Sequence, residues 1–167
     1  MKNQEWHDCS EKELQSRAQE WVRGLRSEFQ DAIVFLEGEM GAGKSTFARA
    51  ILAELSPHQV AKGSPTFPIV HEYPGDPGRI YHIDLYRIRH ESELEDSGIL
   101  SQIEERGVLA IIEWSSLFPD VFAYWKTPQE TQNSAKKTGA TKTVWQVTLS
   151  PGSHPEFRNA KLARLSF

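Results

Sequence analysis

The sequence predicts a three-layer α/β fold with a mixed, mostly parallel central sheet and added antiparallel strands. Three observations carry that expectation. Two short, continuously apolar runs, "AIVFLEG" (Ala32 to Gly38) and "VLAIIEW" (Val108 to Trp114), read as strands buried on both faces. Stretches with helical spacing interleave with them, as in layered α/β domains. Two strand-like stretches flank "PGDPG" at Pro74 to Gly78, which is a turn by composition and implies an antiparallel hairpin.

Each element follows from local chemistry. Ser10-x-x-Glu13 is a capping box, and Leu14, Ala18, Trp21, Val22, Leu25 and Phe29 follow at helical spacing, so a helix is expected over about residues 10 to 28. After the first buried strand and its glycines, Phe47, Ala50, Ile51 and Leu55 mark one face of a second helix, which Pro57 ends. "PTFPIVHEYP" is too rich in proline for a helix and reads as a loop leading into a strand near Ile69 to Tyr73. "RIYHIDLYR" alternates and is rich in aromatic and β-branched residues, a strand through about Leu85. Glu91 to Glu105 is helical with a break at Gly98. Lys126 to Lys142 contains almost nothing to bury and reads as a mobile loop or insertion. "TVWQVTL" is a strand, and Ala160 to Phe167 forms a last short element whose type the pattern leaves open.

Composition bounds what such a chain does. Its 167 residues suggest a single domain over 1–167, large enough for one core without staples. A net charge of -4 argues against a general nucleic-acid binder. Cys9 is the lone cysteine, so no intrachain disulfide forms. With no secretory signal pattern, a cytoplasmic protein is expected. No stretch approaches the roughly 20 apolar residues needed to span a bilayer, and no internal repeat is visible.

The chemistry concentrates at Gly38 to Thr46. Gly38-x-x-x-x-Gly43-Lys44-Ser45 is a complete phosphate-binding loop pattern, placed between a buried strand and an amphipathic helix. Glycines let the backbone turn tightly and aim successive N–H groups into one concavity, and the following helix presents its positive end to the same anion. Glu39, Met40, Gly41, Ala42, Gly43, Lys44, Ser45 and Thr46 are therefore the expected nucleotide-binding set. Lys44 reaches the β and γ phosphates, and Ser45 gives its hydroxyl to Mg²⁺. Such a loop needs an acid for the metal, usually at the end of a buried strand. Glu113, which ends "VLAIIE", is the candidate, and Asp84 at the end of "RIYHID" is the second. Thr66 in "SPTF" lies where a switch segment meets a γ-phosphate. The histidines show no metal-ligand spacing, and no nucleophile-elbow pattern occurs.

Four stretches in one order, "GEMGAGKSTFARAIL", "SPTF", "YHIDLYR" and "IIEW", resemble the TsaE (YjeE) family. Its members are small P-loop ATPases of the bacterial machinery that makes N6-threonylcarbamoyladenosine at position 37 of tRNA. The resemblance covers about residues 10 to 118, and "H-x-D-L-Y-R" with the terminal "E-W" is its specific part. The family loop usually reads "GDLGAGKT", so Glu39, Met40 and Ser45 are departures that keep the chemical type. The resemblance implies a P-loop NTPase domain that binds ATP and Mg²⁺. TsaB-like and TsaD-like partner subunits are implied too, with tRNA reached only through that complex. It implies that Lys44 binds phosphate and that Ser45 and Glu113 hold the metal. It also implies that Asp84 and Thr66 sit by the γ-phosphate and that Trp114 follows the metal acid.

Two other functions use the same loop. A small-molecule or nucleotide kinase normally covers the transferred group with an arginine-rich lid, and no arginine-dense stretch follows Glu105. A nucleotide-dependent assembly module, whose turnover is incidental, overlaps the first reading. GTP is disfavoured because no N-K-x-D motif is present.

Overall fold

The computed structural model describes residues 3–58, 69–76, 78–127 and 142–165. The order of elements is β1 (Gln4–Cys9), α1 (Glu11–Gly24), β2 (Ala32–Glu37), α2 (Lys44–Leu55), β3 (Val70–Pro74), β4 (Arg79–Asp84), α3 (Glu91–Asp96), α4 (Ile99–Glu104), β5 (Val108–Glu113), α5 (Pro119–Lys126), β6 (Thr143–Pro151) and β7 (Arg158–Arg164). Short 3₁₀ turns at Arg26–Asp31, Leu85–Arg87 and Ser115–Leu117 join some of them. One seven-stranded sheet runs β1-β7-β6-β2-β5-β4-β3. Its centre, β6-β2-β5-β4, is parallel throughout. Both margins are antiparallel: β3 pairs with β4 as the expected hairpin, and β7 pairs with both β6 and β1. The sheet is thus mixed, with parallel pairing confined to the middle.

Alternation along the central strands builds two cores. Ala32, Val34 and Leu36 of β2 face one layer with Leu14 and Trp21 of α1 and Phe47 and Ile51 of α2. Ile33 and Phe35 face the other, with Leu94, Ile99, Ile103 and Phe122. In β5, Leu109 and Ile111 belong to the α2 side, whereas Val108, Ala110 and Ile112 belong to the opposite one. The same alternation in β4 sends Ile80 toward α2 and Tyr81 and Ile83 away from it. Residues that continue the α2-side rows, His82, Asp84 and Glu113, therefore emerge beneath the helix that follows the glycine loop.

The capping box forms as expected: Ser10 accepts from the Glu13 amide, and the Glu13 carboxylate takes the Ser10 amide at 2.9 Å. The first helix stops at Gly24 rather than near residue 28. The chain tightens into the 3₁₀ turn that buries Phe29 edge-on against Trp21, with ring centroids 5.2 Å apart. Glycine's poor helix propensity makes that a natural exit. The break at Gly98 is a left-handed residue (φ 73°) that separates α3 from α4. Of the stretch from Ala160 to Phe167, residues 160–164 belong to the strand β7, which begins at Arg158, and residues 166–167 lie outside the described residues. Two elements were not expected. β1 is a polar-looking strand in which only Trp6 and Cys9 are buried, and α5 starts with Pro119 at its first turn and buries Phe122. Within the expected loop at Lys126 to Lys142, residues 128–141 lie outside the described residues.

At the opposite end of the sheet from the glycine loop, Lys142 enters β6 with its side chain 2% exposed. Its Nζ donates to the carbonyls of Glu105 (2.6 Å) and Val108 (3.3 Å) and lies 3.5 Å from Asp31 Oδ1. Burial pushes the Lys142 amine below its ordinary value, and Asp31 offsets only part of this. A lysine whose folded value lies below its unfolded value of about 10.4 binds fewer protons when folded within that window, so its contribution to stability rises with pH there. The difference in urea stability between the wild type and Lys142→Met is accordingly expected to move in favour of the wild type as pH climbs from 7.5 toward about 10.4. A difference independent of pH would contradict this account of Lys142.

Candidate functional site: the glycine loop and its acids

β2 ends at Glu37, and the chain turns at Gly38 (φ 141°). A Cβ at Gly38 would lie 2.3 Å from the Leu149 carbonyl oxygen of β6, so no other residue fits. The loop closes through an Ala42 N–H to Glu39 C=O bond of 3.1 Å. It reaches α2 through Gly43, the N-cap, in the left-handed region (φ 101°). A side chain there would carry strain, and glycine carries none. The bond from the Phe47 amide to the Gly43 carbonyl, 2.9 Å, begins the helical ladder. The amides before it have no acceptor within the helix. No side chain caps this end and no acidic residue lies in its first turn. The positive end of α2 is therefore left for an anion from outside.

Lys44 is 4% exposed. Its ammonium donates to the loop carbonyls of Gly38 (2.7 Å) and Glu39 (2.8 Å) and sits 3.6 Å from the centroid of the Trp114 ring. Burial lowers its pKa, and Glu113 and Asp84 act in the other direction. The cation is thus stored against neutral partners, which an anionic ligand can replace.

Ser45 Oγ donates to Glu113 Oε2 at 3.0 Å, and Glu113 Oε1 lies 2.8 Å from His82 Nε2. Asp84 stands directly beside Glu113 in the β4–β5 register. Its Oδ1 accepts from the Tyr86 amide at 3.1 Å, which caps the 3₁₀ turn that follows β4. Tyr86 in turn packs on Trp114, with ring centroids 5.0 Å apart. Around these groups lies an open cleft of about 290 Å³. Met40, Gly41, Gly43, Lys44, Ser45, Thr46, Asp84 and Glu113, eight of the residues the sequence singled out, line it. Glu39 and Ala42 border an adjoining depression against the β6–β7 turn. Thr66 lies outside the described residues.

The donor set fits a hard cation. Ser45 and Glu113 offer oxygen only, which suits Mg²⁺. Among the described residues, no cluster of three or more His, Cys, Asp or Glu is placed to hold a metal ion. A cation that takes few protein ligands and completes its shell with phosphate and water agrees with that arrangement.

Several residues of the site carried no signal that sequence reasoning used. Glu37 accepts from Lys126 Nζ at 2.7 Å and from the Ser115 hydroxyl. Burial alone would raise the Glu37 pKa, but these hydrogen bonds outweigh it and hold the carboxyl below its ordinary value. Arg158 of β7 donates from Nε to the Gly41 carbonyl at 3.1 Å, across a chain separation that no local pattern reveals. His82 was legible in principle, since it stands two residues before Asp84 and so shares its face of β4.

Comparison with known proteins agrees with this geometry. The family model "Threonylcarbamoyl adenosine biosynthesis protein TsaE" matches residues 9–144. A tRNA threonylcarbamoyladenosine biosynthesis protein TsaE from Haemophilus influenzae is 41% identical over 83 residues, 50% of this chain and 51% of that protein. The protein of the same name from Aquifex aeolicus is 39% identical over 101 residues, 58% of this chain and 74% of that one. The Bacillus subtilis one is 36% identical over 98 residues, 59% and 56% of the two chains. The chain therefore spans about half the length of the Haemophilus relative. The crystal structure of Bacillus subtilis YdiB superposes with a TM-score of 0.61 at 20% identity, covering 98% of this chain and 86% of that one, and so shares its fold. Since the family model covers the strand, loop, helix and both acids from which the site is built, the chain belongs to the TsaE family.

Proposed function

We propose that the chain is an ATP-binding and ATP-hydrolysing subunit required for threonylcarbamoyladenosine formation at position 37 of tRNA. In this reading it acts in the cytoplasm, with TsaB-like and TsaD-like subunits that meet the tRNA. The whole chain, 1–167, works as one three-layer P-loop NTPase domain. The observation that carries the reading is the joining of Lys44, Ser45 and Glu113 at the uncapped start of α2. That joining supplies a cation, backbone donors and a metal-binding oxygen pair around one cleft. The names of the relatives supply the pathway.

Each residue has a role that its contacts suggest. The loop amides receive the β-phosphate. Lys44 exchanges the Gly38 and Glu39 carbonyls for β and γ oxygens, a trade of neutral acceptors for charged ones. Ser45 and Glu113 would hold Mg²⁺, which would offset charge on the phosphates. Asp84, at the rim of the cleft, orients the attacking water. Thr66 is assigned to the γ-phosphate side on its motif alone.

Lys44→Ala is expected to abolish productive ATP binding in calorimetry with Mg²⁺; unchanged affinity and turnover would reject the site. Glu113→Gln is expected to weaken Mg²⁺-dependent ATP binding, because the metal loses an anionic partner. Asp84→Asn is expected to spare affinity more than hydrolysis. Loss of affinity with full turnover per bound ATP in Asp84→Asn would reverse those roles. The isolated chain is expected to hydrolyse ATP slowly. Arg49 is turned to Thr46 Oγ1 at 3.2 Å, leaving Arg87 as the nearest arginine in sequence to the acids. A P-loop site that lacks an arginine finger runs about 10³–10⁵ slower than one supplied with it. Steady-state hydrolysis is therefore expected to rise when TsaB-like and TsaD-like subunits from the same organism are added, and brisk turnover indifferent to both would instead favour an independent enzyme.

A further inference from the structure

His82 is a buried polar residue on the inner row of β4. On the α2 side of β4 it stands between Ile80 and Asp84, only 3% exposed. Its partner Glu113 is 2% exposed. A carboxylate can only accept, so the imidazole Nε2 carries the hydrogen of their 2.8 Å bond. The other oxygen of the same carboxylate, Oε2, takes the Ser45 hydroxyl. Glu113 is thus gripped at both oxygens, by a ring fixed in a central strand and by a hydroxyl that rotates freely about its own bond. Of the two, the ring is the grip that sets direction.

Packing alone does not account for a histidine here. His82 Nδ1 is buried with no hydrogen-bond partner among the described residues. An apolar side chain of similar size would leave no such atom, so the imidazole carries a cost that the core does not require. The position also matters because the metal acid is a glutamate. Its extra methylene gives the carboxylate freedom that an aspartate in the same place would lack, and a partner to one oxygen removes it.

We propose that His82 is a positioning residue: by holding Oε1 of Glu113 it presents Oε2, beside Ser45, to the Mg²⁺ that accompanies ATP. The inference rests on the nucleotide and metal reading above and adds a residue to it. Outer partners of metal ligands typically change metal affinity by about 10–100-fold when removed.

The test uses the full chain with His82→Leu, which removes the donor, and His82→Gln, whose amide can donate to the same oxygen. ATP affinity is measured by calorimetry in EDTA and across a Mg²⁺ series. Mn²⁺ binding to the ATP-loaded chain is followed by electron paramagnetic resonance, and thermal melting reports the fold. His82→Leu is expected to melt cooperatively and to bind ATP in EDTA as the wild type does. It is expected to need about tenfold more Mg²⁺ or Mn²⁺ for half-saturation. His82→Gln is expected to recover most of that loss. If His82→Leu fails to fold, His82→Asn, whose shorter amide stops short of Oε1, is read for the same shift. Wild-type metal dependence in His82→Leu, or in His82→Asn where that variant replaces it, overturns the proposal, as does a His82→Gln that loses as much as His82→Leu. A wild-type chain that binds no ATP with or without metal fails at the underlying reading instead, and the proposal falls with it.

Discussion

Leu36 of β2 and Asp84 of β4 stand on either side of Glu113 of β5, in a parallel register without a shift. That pairing fixes where three carboxylates leave the sheet. Glu37 follows Leu36, Asp84 ends β4, and Glu113 ends β5. Parallel strands buried on both faces are held in register by every apolar residue along them, because a one-residue slip would turn each row to the wrong layer. The acids at the edge are therefore positioned by the hydrophobic core and not by one another. The glycine loop begins at that same edge, so its Lys44 and Ser45 arrive among carboxylates whose places are already set.

The charges there sort into a closed pair and an open one. Glu37 is matched to Lys126, with Ser115 completing its hydrogen bonds. The pair is only half-buried, its Lys126 and Glu37 side chains keeping 22% and 12% exposure. Lys44 and Glu113 are arranged differently. Each is nearly inaccessible, yet Lys44 is bonded to carbonyls and Glu113 to a hydroxyl and an imidazole. Lys44 and Glu113 are not bonded to each other. No direct ion pair between Lys44 and Glu113 therefore has to be broken for either to meet another partner.

Most of this could be read from the chain because it is written in local pattern. The strand runs at Ala32 and Val108, the capping box at Ser10 and the hairpin around "PGDPG" all have short-range signals, and the structure keeps them. The loop motif and the acid after each apolar run gave the lining of the cleft on the same basis. What escaped is non-local or weakly patterned. β1 buries two side chains only and owes its place to pairing with β7 at the far end of the sequence. α5 is a short helix whose one fully buried anchor is Phe122. The brace from Arg158 to the Gly41 carbonyl, and the Glu37–Lys126 pair, join residues that only the folded sheet brings together.

Trp114 links the closed pair to the open one. It is one of two non-glycine residues with positive φ among those described, at 66°. A left-handed residue that is not glycine typically costs about 1–2 kcal/mol. Two groups of contacts offset that cost. The turn at Trp114 sends the chain directly from Glu113 into the 3₁₀ segment that brings the Ser115 hydroxyl back to Glu37. It also lays the indole against the Lys44 ammonium and the Tyr86 ring. A desolvated cation over an indole is worth about 2 kcal/mol. The backbone at Trp114 is thus stabilised in part by the Lys44 ammonium. Lys44 is one of the supports of the turn that follows Glu113, and through Ser115 that turn reaches Glu37 at the root of the loop.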